Sequence, residues 1–180
     1  TLADACQRQG SRLIHLSTDF VFKGDVRQLY TEDDEPSPVN HYGYTKMESE
    51  RVVSAICSNY AIARIVVVYG KPFNGQHGNI VTLVANRLRN HQEIRVVNDQ
   101  WRTPTFVRDV ADGICRLVDY HVNGIFHICG AECMSIAELA IRVADELKLD
   151  RSLIMPVSTE EMNEKVARPL YSGLSIEKAR

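Results

Sequence analysis

The 180-residue chain has little excess of either charge: 21 basic residues stand against 23 acidic ones, for a formal net charge of −2. With both signs interspersed along the chain, it offers no electrostatic footprint for nucleic acid or an anionic membrane surface. No apolar run approaches the ~20 residues that a membrane helix needs, and the first residues lack the charged-then-apolar layout of a secretory signal. No C-x-x-C pair occurs among the five cysteines, Cys6, Cys57, Cys115, Cys129 and Cys133. An odd set in surroundings such as Phe126-His127-Ile128-Cys129 reads as buried free thiols in a reducing compartment. The six histidines are scattered, with no pair at the spacing of a helical metal site, so no metal is expected. Repeats and low-complexity segments are absent. The expectation is a soluble, cytoplasmic protein with neither nucleic acid nor membrane as partner, and its 44% hydrophobic content suits one globular domain with a sizeable core.

What is present alternates. Thr1 to Gln9 reads as an amphipathic helix closed by Gly10. Arg12 to Leu16 is a short apolar run, as in a buried parallel strand, and leads into Ser17-Thr18-Asp19. A polar loop follows from Lys23 to Asn40, long enough to be functional. The spacing predicts a helix over Tyr42 to Asn59, a continuous strand over Ala61 to Tyr69, a glycine-bearing loop from Gly70 to Gly78 and a helix over Ile80 to Arg89. Beyond these lie a strand Ile94 to Val97, a helix Asp109 to Tyr120 and a strand Gly124 to Cys129. A last helix, Ser135 to Leu147, is begun by Ser135 with Glu138 three residues on. Strands alternating with helices imply an α/β fold with a mainly parallel sheet.

Tyr42-Gly43-Tyr44-Thr45-Lys46 sets a phenol and an ammonium four residues apart on the opening turn of a helix, so both project from one face. A free tyrosine has a pKa of about 10; an adjacent positive charge favours the phenolate and brings the group toward useful acid–base range. Lys46 would thereby tune Tyr42 for general acid work. Thr18 lies at the C-terminal end of a predicted strand, where open α/β sheets place their ligands, and its hydroxyl can hydrogen-bond the carbonyl that Tyr42 protonates.

Ser17-Thr18-Asp19-Phe20-Val21-Phe22, the acidic loop Tyr30-Thr31-Glu32-Asp33-Asp34-Glu35-Pro36-Ser37-Pro38 and Tyr42-Gly43-Tyr44-Thr45-Lys46 occur together in that order. In this the chain resembles extended short-chain dehydrogenases/reductases and, among them, the dTDP-4-dehydrorhamnose reductase family. The resemblance covers nearly the whole chain. It implies a doubly wound, Rossmann-type sheet and hydride transfer from NADPH or NADH to a nucleotide-linked 4-keto sugar. Tyr42 would supply the proton, Thr18 a hydroxyl, and Lys46 also a hold on the nicotinamide ribose. Ser17, Thr18, Tyr42 and Lys46, with Val68 and Tyr69 of the Arg64 to Gly70 stretch, are the implied cofactor contacts. Gln100, Arg102 and Thr105, in an element resembling D-Q-x-x-x-P-T, and Arg168, in a late R-P element, are the implied substrate contacts. Residues 1–97 would hold the remaining Rossmann part with the catalytic residues. Residues 98–180 would contribute to the substrate site within the same structural unit.

The chain also departs from the family pattern. Phe20 stands where the family usually has Tyr, and Trp101-Arg102-Thr103 where it usually carries Gly. A Q-x-R-x-P-T pattern resembles the regulatory subunit of methionine adenosyltransferase, which binds NADP and is not chiefly a catalyst; this is the alternative from another class. An NAD-dependent nucleotide-sugar epimerase or dehydratase is a third, sharing the Thr-Tyr-Lys set. No G-x-x-G-x-x-G follows a strand, so the phosphate-cradling start of the family fold and a last segment after Arg180 are expected to lie outside this chain; Gly70, Gly75 and Gly78 read as turn glycines. Arg102 reads either as a bidentate phosphate clamp or as a surface arginine packed on Trp101. Asp19 reads as a turn cap, His127 as a satisfied core histidine, and Arg168 as a candidate phosphate contact. The sugar, the choice between NAD and NADP, and the oligomeric state, for which a homodimer is one option, stay open.

Overall fold

The computed structural model describes residues 1–73 and 78–180; Gly75 therefore lies outside the described residues. Three strands, β1 (Leu13–Thr18), β2 (Tyr60–Ile65) and β7 (Gly124–His127), form a parallel sheet in the order β1-β2-β7. Alternation along β2 explains the layering. Ile62 joins Leu13 with Ala3 of helix α1 (Leu2–Gln9) and Val53 of helix α2 (His41–Ile56). Its neighbours Ala61 and Ala63 join Phe126 and Leu117 of helix α4 (Val107–Asp119) on the opposite face. Both faces are thus covered by helices, the doubly wound arrangement, and apart from Arg64 the buried residues of β2 are apolar on both faces for that reason.

A second layer packs beside this sheet. Helices α3 (Ile80–Arg89) and α5 (Ile136–Glu146) bury Val84, Leu88, Ala140 and Ala144 against two parallel strands, β4 (Ile94–Val97) and β9 (Ile154–Val157). The start of α5 is capped as the sequence predicts: Ser135 Oγ accepts from the Glu138 backbone N–H at 3.1 Å, and the Glu138 carboxylate accepts from the Ser135 N–H at 2.8 Å. The short strands β5 (Trp101–Arg102) and β8 (Met134–Ser135) pair antiparallel. Residues 1–97 and 98–180 share three sheets, since β7 completes the first sheet, Thr105–Phe106 pairs with Val68–Tyr69, and β9 pairs with β4.

Three expectations are corrected. The predicted strand Ala61 to Tyr69 is two: β2 ends at Ile65, and β3 (Val68–Tyr69) pairs in parallel with β6 (Thr105–Phe106). Val67 between them has φ +36°, an uncommon conformation for a β-branched residue. Thr105 holds the break, its hydroxyl donating to Val66 O at 2.8 Å and its N–H to Val67 O at 3.2 Å. Helix α2 stops at Ile56 rather than Asn59, because residues of α1 take over the following groups. Cys57 Sγ donates to Ala3 O at 3.4 Å, and the Ser58 N–H to Gln7 Oε1 at 2.9 Å. The five thiols are free, but only Cys57 is fully buried; Cys6 and Cys129 are half-buried, and Cys115 and Cys133 are exposed.

Inside the molecule, Arg64 of β2 and Glu50 of α2 form a bidentate buried pair at 3.0 and 2.7 Å. Such a pair fixes α2 against the sheet in one position. His127 is fully buried beside it: Nδ1–H donates to Ser175 O at 3.1 Å, and Nε2 accepts from Arg64 at 3.4 Å. It is the satisfied core histidine that the sequence suggests, and burial pushes its imidazole down to about 4.

Candidate active site

The C-terminal end of β1 runs into a single 3-10 turn, Asp19–Val21, capped by Thr18, whose hydroxyl oxygen accepts from the Phe20 N–H at 3.3 Å. The first turn of α2 lies directly on this turn. Its cap is Asn40, whose Oδ1 accepts from the Gly43 N–H at 2.8 Å. Gly43 is glycine for a steric reason: a Cβ there would sit 2.1 Å from Phe20 O and 2.9 Å from Pro38 Cβ. The close approach sets Tyr42 edge-on against Phe20, with ring centroids 5.8 Å apart. One helical turn later, Lys46 Nζ donates to Leu16 O at 2.9 Å, on β1 itself.

The structure therefore gathers Thr18, Tyr42 and Lys46 around one strand end. Their accessibility differs: Thr18 is 6% exposed and Tyr42 51%. A phenol half in solvent above an inner hydroxyl suits a ligand laid over the strand end. Ser17, 3% exposed, carries a hydroxyl with no hydrogen-bond partner among the described residues. A buried polar atom without a partner is costly unless a ligand or water meets it, so the residues at this strand end fit a polar group such as a nicotinamide nucleotide. His15, earlier on the same strand, bonds Ser49 Oγ at 2.9 Å; burial first, and then nearby Lys46, hold its imidazole below the usual range. Val68 and Tyr69 border a cleft of about 360 Å³ with Gly70, Phe73 and Val107. Gly70 and Gly78 both lie tight against neighbouring side chains: a Cβ at Gly70 would meet Val107 Cγ1 at 2.5 Å, and one at Gly78 would meet Thr82 Oγ1 at 2.7 Å.

Of the other sequence-selected residues, Gln100, Arg102 and Thr105 are buried and Arg168 is not. The Gln100 amide donates to Thr159 Oγ1 at 3.0 Å and Glu164 Oε2 at 3.1 Å. Arg168, about half exposed, pairs with the same carboxylate at 2.9 Å. Thr105 is 1% exposed and serves the Val66–Val67 break. Arg102 is 2% exposed, which corrects its reading as a surface arginine packed on Trp101; the cation over that indole is Arg27, at 4.7 Å. The Arg102 guanidinium instead donates to Trp101 O (2.8 Å), Leu170 O (3.2 Å) and Pro169 O (2.6 Å), and its Nε lies 3.3 Å from Asp19 Oδ2. Asp19 is likewise corrected: Thr18 makes the cap, and the Asp19 carboxylate is buried with Arg102, Ser172 and Thr18.

Several contributors escaped the sequence reading. Asn40 had a usable signal, an N-cap residue three positions before a backbone N–H, yet its second bond, Nδ2 to Ala167 O at 2.9 Å, joins segments far apart in sequence. Ser172 and the Glu50–Arg64 pair had no local signal at all.

Comparison with known proteins finds relatives that match nearly the whole of this chain. The family model described as RmlD substrate binding domain matches residues 1–180. A spore coat polysaccharide biosynthesis protein of Bacillus subtilis, SpsK, is 36% identical over 170 residues, 93% of this chain and 57% of that protein. Methionine adenosyltransferase 2 subunit beta of Danio rerio is 31% identical over 171 residues, 92% of this chain and 52% of that protein. The crystal structure of dTDP-4-dehydrorhamnose reductase from Bacillus anthracis in complex with NADP superposes with a TM-score of 0.91 at 33% identity, covering 98% of this chain and 61% of that one. The chain thus spans between about half and three fifths of the lengths of these relatives.

Proposed function

We propose, since the chain belongs to the RmlD substrate binding domain family, that it carries the proton-transfer and sugar-positioning residues of an NAD(P)H-dependent reductase of a nucleotide-linked 4-keto sugar. The observation that carries this reading is the seating of Tyr42 and Lys46, through Gly43, on the turn that follows Thr18. The likeness to a reductase structure holding NADP supports the cofactor class. When bound, the reduced nicotinamide supplies the hydride.

The chain's own residues do the rest. Tyr42 donates a proton from its phenol to the keto oxygen as that oxygen gains charge. The Thr18 hydroxyl donates a hydrogen bond to the same oxygen, stabilising the developing negative charge. Lys46, one turn along and seated on Leu16 O, would hold the ribose of the cofactor. Ser17, whose hydroxyl has no partner among the described residues, would offer it to the same ligand, and Val68 and Tyr69 would border the nicotinamide. Gln100 and Arg168 meet at Glu164 and serve the nucleotide end of the sugar, with Arg102 and Thr105 supporting them from within. A homodimer and a cytoplasmic location belong to the same proposal and are read by sedimentation and by cell fractionation.

The test is loss of nicotinamide absorbance when the protein at its full natural length meets NADPH and dTDP-4-dehydrorhamnose. Tyr42→Phe is expected to lower turnover by about 10²- to 10⁴-fold with cofactor affinity nearly intact; Lys46→Ala is expected to weaken both. Unchanged turnover in Tyr42→Phe sinks the proton-donor role, and unchanged cofactor affinity in Lys46→Ala sinks the ribose role. One observation favours a second reading: Arg102 lies in the Q-x-R-x-P-T pattern, and a methionine adenosyltransferase beta subunit is 31% identical. Cofactor binding without turnover would select that reading, a regulatory subunit.

A further inference from the structure

We infer that Asp19 and Arg102 form a buried positioning pair that sets the hydroxyl of Thr18 and ties it to the late segment Pro169–Ser172. This rests on the reading of Thr18 as the hydroxyl that meets the keto oxygen.

The arrangement has one carboxylate at its centre. Asp19 is 3% exposed and takes three donors: Thr18 Oγ1 at 3.1 Å on one oxygen, and Ser172 Oγ and Arg102 Nε on the other, the latter at 3.3 Å. Thr18 Oγ1 in turn accepts from the Phe20 N–H, so its rotamer is held from two sides. Arg102 anchors the carboxylate from the far side, its remaining contacts going to the carbonyls of Trp101, Pro169 and Leu170 and its guanidinium carbon lying 5.7 Å from the Phe20 ring centroid. Burial pushes the Asp19 carboxyl up, while Arg102, Ser172 and Thr18 oppose that shift.

The chemistry of the pair follows from sharing. A carboxylate accepting from Thr18 alone would hold the hydroxyl proton strongly and keep it from any other acceptor. With Arg102 and Ser172 drawing on its charge, the bond to Thr18 stays long enough for the proton to swing to a substrate oxygen while Oγ1 remains in place. The same arginine, on strand β5, joins two segments distant in sequence, the end of β1 through Asp19 and the carbonyls of Pro169 and Leu170.

The test is a double-mutant cycle on the full-length protein, reading kcat, KM for the keto sugar and cofactor affinity by fluorescence titration. Asn at position 19 has one acceptor oxygen where Asp offers two. Asp19→Asn is therefore expected to lower kcat roughly 10- to 100-fold, the scale of a displaced reacting group, with KM and cofactor affinity within about twofold. In a Thr18→Val background the same substitution is expected to cost less than about twofold more, because the group it positions is gone. Penalties that multiply in full, or an effect confined to KM, overturn the inference. Should Asp19→Asn not fold by thermal melting, Arg102→Lys and Ser172→Ala run through the same cycle with the same expectation. Unchanged kcat in Thr18→Val overturns the reading of Thr18 itself, as does a wild-type protein without turnover, and the inference falls with it.

Discussion

Two regions matched the same family pattern in the sequence, and the structure treats them in opposite ways. At the end of β1, Tyr42 is half exposed, Lys46 is held by a single backbone carbonyl and Ser17 has no partner among the described residues. Around strand β5, Arg102, Thr103 and Thr105 are 2% exposed or less, and their polar groups are engaged by neighbouring carbonyls, backbone N–H groups or Asp19. A motif residue with uncommitted hydrogen-bonding capacity can act on a ligand. Arg102, whose guanidinium already serves three carbonyls and Asp19, shapes the ground on which Thr18 acts. Side-chain chemistry is the same in both regions; the difference lies in how much of it folding has used.

The sharpest way to break this comparison is to delete one member from each region. Arg102→Met leaves the Asp19 carboxylate buried and unpaired, and it is expected to cost about 3–5 kcal/mol of folding stability by urea denaturation. Tyr42→Phe is expected to leave stability within about 0.5 kcal/mol while removing turnover. Equal stability losses for the two would erase the distinction between them.

Gly43→Ala probes the seam between helix α2 and the Thr18 turn. The added methyl would meet Phe20 O at 2.1 Å, so α2 must shift. About 1–3 kcal/mol of stability and about 100-fold in turnover should be lost together. Full activity in this variant would show that the seating of Tyr42 tolerates more freedom than the contact allows.

A pH series separates the buried network from the strand end. The His127 imidazole is held at about 4 by burial, below its ordinary value of 6.5. Above pH 6.5 neither the folded nor the unfolded chain protonates it, and its full contribution is present. As pH falls from 6.5 toward 4 the unfolded chain takes up the proton and the folded one does not. Stability is then lost at up to about 1.4 kcal/mol per pH unit. Urea denaturation across that window should show a shallower slope in His127→Gln than in the wild type; parallel slopes would place the acid sensitivity elsewhere.

The smallest effect belongs to Arg168, whose side chain is 46% exposed and paired with Glu164. Arg168→Gln is expected to change stability by less than about 1 kcal/mol and to raise KM for the sugar nucleotide up to about tenfold, with kcat little altered. A stability loss matching that of Arg102→Met would move Arg168 into the buried group.

Much of the fold was legible because it depends on local patterns. The α3 and β4 boundaries, Gly10 as a left-handed cap at φ +64° and the Ser135–Glu138 box all follow from periodicity and capping within a few residues. The Thr18, Tyr42 and Lys46 spacings were legible in the same way, since a helix puts residues four apart on one face. The break at Val66–Val67 was not. Every residue from Ile65 to Tyr69 is β-branched or aromatic and favours extended backbone, and only the bonds from Thr105 impose the positive φ at Val67. By itself, then, the sequence determined the alternation of elements, their caps and the identity of the chemically able side chains, because each depends on neighbours a turn or two away. Tertiary structure alone decided which of those side chains remain available: Arg102 meets Asp19, Pro169 and Leu170, and Asn40 meets Ala167, across chain separations that no local pattern encodes.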